Sequence, residues 1–381
     1  MSQPKYRTDC RRFTGYRPCY PDRADCGGCD RFDPRGERIL IINLDAIGDV
    51  IRSTAVLHPL KRAFPQSHVT WVTLPRAAPL LENNPFVDRI LPVDPSLGMI
   101  LASLRFDRAY NVDKGIPSGA MMNVVSAPVK LGFRIDSDGV ILPLNPEADE
   151  LFRVGLDDQL KFFDNRKTEN QLLAEAFGFE YARDPYIFRF TPSEERHLAE
   201  VRERFGLAGA RVVVGINTGC SNLFPNKKLP LQYQRMLIHR LRQVRPEWPV
   251  LLLGGIEDGA RNAELAADLG MNVIPTPTDE GLRRGMGYTQ LADVVFTGDS
   301  LGMHMAIALG KRMVVWFGLT CDQEIEIYDR GEKLTADVKC RPCWRKDCDK
   351  PVKCWDSLDP DLALEAIIRQ GELAGREKGT A

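Results

Sequence analysis

The sequence predicts an α/β protein built from two doubly wound domains. Three observations carry that prediction. Strand and helix patterns alternate at short spacing, and the alternation lapses in mid-chain and then restarts. The strands also read as near-continuous apolar runs, the mark of parallel sheets covered on both faces. With 381 residues, 44% of them hydrophobic, the chain is long enough for two cores.

The first round begins with the strand RILIINL (38–44) and a helical pattern over 49–63. HVTWVT (68–73), a helix near 76–82, RILPV (89–93), FDRAYNV (106–112) and the helix SGAMMNVV (118–125) follow. Residues 134–190 are less regular, apart from the helix KTENQLLAEAFG (167–178), which stops at Gly178. TPSEERHLAEVRERFG (191–206) reads as a helix that starts Ser-x-x-Arg, without a capping box, and ends at Gly206. The linker is placed near 182–208. The second round runs RVVVGIN (211–217), a helix over 229–244, PVLLLGG (249–255), a helix over 257–270, DVVFTGD (293–299), LGMHMAIALG (301–310) and RMVVWFG (312–318). The expected organisation is a Cys-bearing segment at 1–35, a first Rossmann-like domain at 36–190, a second at 208–358, and a C-terminal helix at 359–375 that crosses back to the first.

A formal net charge of −1 supplies no global field to recruit nucleic acid, so no nucleic-acid partner is expected. No uncharged apolar run reaches the roughly 18–20 residues of a membrane span. The stretch MSQPKYRTDCRRF lacks the apolar core of a signal peptide. These features predict a cytoplasmic protein.

Ligands of doubly wound sheets bind beyond the C-terminal ends of the strands, so the strand-to-helix turns are where chemistry is sought. No G-x-G-x-x-G follows the first strand, which weighs against a dinucleotide oxidoreductase. The turn GDSLGMH puts Asp299, Ser300, Gly302, Met303 and His304 at a helix start, where free N–H groups and the dipole favour an anion. Asn217, Thr218 and Gly219 end a buried strand, and Lys227 and Lys228 precede the next helix, where an ammonium can neutralise a leaving diphosphate. In GGIEDGA, Gly255 allows close approach and Glu257 or Asp258 can accept from ribose hydroxyls. Taken singly, the GDSLGMH and lysine turns are better read as routine capping and solvated charge, and capping by Glu257 or Asp258 is an equal alternative; the two turns in one domain together favour a nucleotide-diphosphate pocket. The first turn, LDAIGD, differs: Gly48 is flanked by Asp45 and Asp49. A phosphate-binding turn rejects carboxylates, whereas a turn that removes a proton from a hydroxyl needs one. Asp49 is therefore the candidate base, with helix capping as the plain alternative.

Several blocks in order resemble the ADP-heptose:lipopolysaccharide heptosyltransferases, glycosyltransferase family 9. They are ILIINLDAIGDVIRSTAVLHPLKRAFP, HVTWVT, LLENNPFVDRIL, GINTGCSNLFPNKKLP, LLLGGIEDG, DVVFTGDSLGMHMAIALGKRMVVWFGLT and CRPCWRKDC…KCW, spread over about 37–375. The resemblance implies a GT-B fold, two facing Rossmann-like domains with a cleft between them. It also implies inverting transfer from ADP-heptose to a lipopolysaccharide-core or other glycan or glycolipid acceptor, with no cofactor for catalysis, at the cytoplasmic face of the inner membrane. It places the proposed base on Asp49 and the donor-phosphate lysine on Lys227, with Thr218, Asp299, Ser300 and His304 on the donor blocks. Two features depart from the family pattern. Asp45 stands where a small residue is usual, so one of the two neighbouring acids should have a raised pKa, or Asp45 should serve a different acceptor. The glycine of the donor block is also moved by one.

Of the ten cysteines, eight form two groups spaced C-x8-C-x6-C-x2-C (Cys10, Cys19, Cys26, Cys29) and C-x2-C-x4-C-x5-C (Cys340, Cys343, Cys348, Cys354). Four thiols including a C-x2-C suit tetrahedral zinc, iron or a [4Fe–4S] cluster, as one site per group or one shared site, against disulfides or free thiols. Each segment lacks a core, so a structural role is expected. Cys220 reads as small filler. The competing functions are a sugar-nucleotide epimerase on the same scaffold and a non-catalytic, metal-bearing binding protein.

Overall fold

The computed structural model describes residues 5–20, 26–221 and 223–380. It holds two six-stranded sheets. The first comprises β1 (Arg38–Ile42), β2 (His68–Thr73), β3 (Arg89–Pro92), β4 (Arg108–Asn111), β5 (Val129–Ile135) and β6 (Ile141–Pro143). The second comprises β7 (Val214–Asn217), β8 (Val250–Leu253), β9 (Val273–Pro275), β10 (Val294–Gly298), β11 (Arg312–Phe317) and β12 (Gly331–Thr335). Their orders are β3-β2-β1-β4-β5-β6 and β12-β11-β10-β7-β8-β9, the same doubly wound order twice. Among the strand pairs of the described residues, only β5–β6 is antiparallel. In each sheet the winding reverses beside the first strand, between β1 and β4 or between β7 and β10. That reversal opens a crevice at the strand ends.

The helices are α1 (Ile47–Ser53), α2 (Leu57–Ala63), α3 (Leu97–Ser103), α4 (Ile116–Val124), α5 (Ala148–Val154), α6 (Glu169–Ala176), α7 (Pro192–Arg204), α8 (Leu231–Val244), α9 (Gly259–Leu269), α10 (Leu282–Leu291), α11 (Leu301–Ala308) and α12 (Pro360–Thr380). Residues up to Asp45, Ala55–Arg153 and Leu172–Asp184 form one compact unit. Ala46–Thr54, Val154–Gln171 and the chain from Pro185 onward form the other. The continuous helix expected over 49–63 is interrupted by a 3-10 turn at Thr54–Val56, and Pro59 sits in the first turn of α2. At that break the Thr54 hydroxyl donates to Ile51 O at 2.6 Å and accepts from Ile187 N at 2.8 Å. The helix α1 thereby belongs with the second unit.

The first core packs Leu40, Ile42 and Val72 against Leu97, Leu101 and Met122. The second packs Val214, Ile216, Val250 and Phe296 against Leu237 and Leu241 of α8 and Ala363, Ala366 and Ile367 of α12. The last helix, expected to cross back, is thus seated on the second sheet. A Cβ at Gly371 would lie 2.6 Å from the Trp248 ring, which is how close the helix comes. Helix α7 begins with a true capping box: Thr191 Oγ1 accepts from Glu194 N at 3.3 Å, and Thr191 N donates to the Glu194 carboxylate at 2.8 Å. This corrects the Ser-x-x-Arg reading, which began the helix two residues late. Among the described residues no helix is long and apolar enough to cross a membrane.

Candidate active site

In the second unit the ends of β7 and β10 lie side by side. The Nδ2 of Asn217 is within hydrogen-bond reach of Gly219 O (2.9 Å), Thr297 Oγ1 (3.1 Å) and Ser300 Oγ (3.0 Å), tying both turns together. Gly302 is required there, because a Cβ would lie 2.6 Å from Asn217 Cγ. Ser300 is the N-cap residue of α11, but its side chain makes no capping hydrogen bond. Ser300 O accepts from Met303 N and His304 N, so of the first turn the Leu301 and Gly302 N–H groups are left for an acceptor from elsewhere.

The two lysines have different roles. Lys227 Nζ donates to Asp299 Oδ2 at 2.8 Å, beside Ser300. Lys228 Nζ turns away to Asp258 Oδ1 at 2.9 Å. The Asp258 side chain is only 5% exposed and also accepts from Gly255 N at 3.0 Å. Gly219 exists to admit that carboxylate: a Cβ there would overlap Asp258 Oδ2. Of the two acids named for the ribose, Glu257 is the exposed one.

Asp49 lies in the first turn of α1. Its carboxylate accepts from Ala46 N at 3.0 Å and pairs with Arg52 Nη1 at 3.0 Å, yet the side chain stays 37% exposed. Desolvation pushes its pKa up, but Arg52, then His304, the Ala46 amide and Lys227 outweigh it and hold the carboxyl below its ordinary value. It is an ionised, reachable acid in the field of Lys227. Gly48 is a close-approach glycine: a Cβ would lie 2.7 Å from His304 Cδ2. His304 is buried and its pKa is lowered to about 4, chiefly by desolvation and then by Arg52, so it is neutral at pH 7.

Some expected residues are placed differently. Met303 is fully buried and packs in the interior. The Thr218 hydroxyl is engaged with Leu253 O and Asn262 Oδ1 (3.2 and 2.5 Å). Asp45 pairs with Arg76. The pKa of Asp49 moves down, not up as a neighbouring acid would drive it. Burial pushes the Cys220 thiol up to about 11, which fits filler and not a nucleophile. Arg52, which also pairs with Glu169, was missed although it sits one helical turn from Asp49. Tyr186, stacked on His304 with centroids 6.1 Å apart, comes from a distant segment and left no local signal.

Residues 96–353 match the profile of Glycosyltransferase family 9 (heptosyltransferase). The chain belongs to glycosyltransferase family 9. It is 23% identical over 310 residues to Lipopolysaccharide heptosyltransferase 2 of Escherichia coli (strain K12), covering 74% of this chain and 82% of that one. A glycosyl transferase family 9 structure from Veillonella parvula DSM 2008 superposes with a TM-score of 0.72 at 18% identity, covering 90% of this chain and 98% of that one. The E. coli ADP-heptose lps heptosyltransferase II structure gives 0.64 at 18% identity, covering 88% and 99%. The two parallel-sheet α/β units are those of the GT-B fold of this family 9 enzyme.

Proposed function

We propose that the chain is an inverting heptosyltransferase that uses ADP-heptose and a lipopolysaccharide-core or related glycan acceptor. One observation carries this reading: an ionised, partly exposed Asp49 shares a compact unit with Lys227 and Asp299, and its neighbour Gly48 closely approaches the His304 ring. Asp49 takes the proton of an acceptor hydroxyl as the oxygen attacks the anomeric carbon. The C–O bond to the diphosphate breaks on the opposite face. Lys227 and the first-turn N–H groups of α11 take up the charge that leaves with it. Neutral His304 acts as packing and as a dipole, not as an acid. The test is ADP release from ADP-heptose with a lipopolysaccharide-core acceptor, with the anomeric configuration of the product read by NMR. Retention of configuration, or failure of the wild type to bind ADP at all, would sink the proposal. No observation favours an epimerase or a non-catalytic binder.

For the tail cysteines we propose a structural metal. Cys340, Cys343, Cys348 and Cys354 line one cavity. Burial, then the Cys343, Cys340 and Cys348 thiols, push the Cys354 pKa up, a repulsion that a bound cation relieves. Among the described residues no three His, Cys, Asp or Glu side chains already converge as a ligand set, so binding requires the four thiols to draw together. In the head, Arg7 N donates to Cys26 Sγ at 3.3 Å, while Cys19 Sγ donates to Arg12 O at 3.2 Å. Metal analysis and the visible spectrum of anaerobically purified protein decide between zinc, iron and neither.

A further inference from the structure

The four-cysteine loop does more than close a cavity. At Trp344 its backbone enters the left-handed region (φ 52°), a conformation that a bulky side chain adopts only when its surroundings impose it. Two contacts impose it here: Cys343 N and Trp344 N both donate to Leu319 O, at 3.0 and 3.1 Å. The bend presents the indole to the phosphate-side loop. The Lys227 ammonium lies 5.0 Å from the ring centroid, and Phe224 meets the ring edge-on at 5.8 Å. Asn226 Nδ2 donates to Lys346 O at 2.7 Å and stitches the two loops a second time. A second ammonium, Lys161, lies 4.2 Å from the same centroid and pairs with Glu324 at 3.7 Å.

We propose that Trp344 is a positioning residue for Lys227. Its π face holds the ammonium beside Asp299 and Ser300, so the donor diphosphate meets a cation already in place. The inference rests on the diphosphate reading of the site and assigns a task to the cysteine loop apart from metal binding. Leucine and phenylalanine at 344 separate π attraction from bulk.

Calorimetric titration of the full chain with ADP tests it. W344F should bind within about twofold of wild type and W344L about tenfold more weakly, the loss of one half-buried cation–π contact. In a K227A background W344L should cost nothing further, because its effect runs through the lysine. Equal ADP affinity for W344L and wild type, or the same loss with and without Lys227, would overturn the proposal. If W344L does not fold, the Lys227 ε-methylene NMR signal of the wild type, assigned with K227R, decides: a shift displaced by the indole ring current supports it and an undisplaced one overturns it. A wild type that binds no ADP indicts the functional reading instead.

Discussion

The two sheets share one winding order, yet their crevices are built oppositely. Between β1 and β4, Asp113 fills the position that an incoming anion would take: its carboxylate accepts from Asn43 Nδ2 at 2.6 Å and from Leu44 N. Between β7 and β10, Asn217 reaches hydroxyls and a carbonyl, and the neighbouring acid, Asp299, is neutralised by Lys227. The first crevice carries its own anion and has no need of phosphate. The second pairs its acid with a lysine and has a helix start that no side chain caps. The same topology is thus closed by its own carboxylate at one crevice and lined by amide, hydroxyl and ammonium groups at the other, and of the two first-turn carboxylates Asp45 stays with the first unit while Asp49 goes with the second.

Four substitutions and one pH comparison break or sharpen this contrast. The largest effect is expected at Asp49: Asp49→Asn should lower turnover about 10³-fold through loss of the base and leave ADP affinity unchanged by calorimetry. Undiminished turnover would reduce Asp49 to a helix cap. Next come the paired lysines. Lys227→Ala should cost about 10²-fold in kcat/KM, whereas Lys228→Ala should lower unfolding free energy by about 3 kcal/mol by stranding buried Asp258. Kinetics and urea melts run side by side check the split. Asp113→Ala should destabilise the protein by about 1–3 kcal/mol through its orphaned donors while ADP binding stays at the wild-type level, since the first crevice takes no part in it. The smallest effect is a pH slope. His304 titrates near 6.5 when unfolded and near 4 when folded, so its stabilising contribution is complete above 6.5 and fades as pH falls through about 4. Melting temperatures at pH 7.5 and 5.0 should separate more for wild type than for His304→Asn.

Much of this was legible in the sequence because it rests on local pattern. The buried strand runs, the turns at Asp49, Asn217 and Asp299, and the glycines at 48, 219 and 302 are written in short segments. What escaped depends on distance or on short elements. The strands β5, β6, β9 and β12 are short, or only partly buried, and their apolar runs are weak. Helix α1 is too short to announce that it leaves the first unit. The capping box at Thr191 competes in the sequence with Ser193, which carries the same N-cap chemistry two residues on. Which lysine faces the site is a matter of a one-residue rotation in the 3-10 turn Pro225–Lys227, and no periodicity reports it. The role of Trp344 needs three separate segments in contact.

The placement of α1 has a practical corollary for protein engineering. Recombining this chain with a relative at residues 182–208 would join one parent's Gly48 and Asp49 to another parent's His304 and Lys227. A crossover pair that moves Ala46–Thr54 and Val154–Gln171 together with the chain from Pro185 keeps those partners as one inherited block.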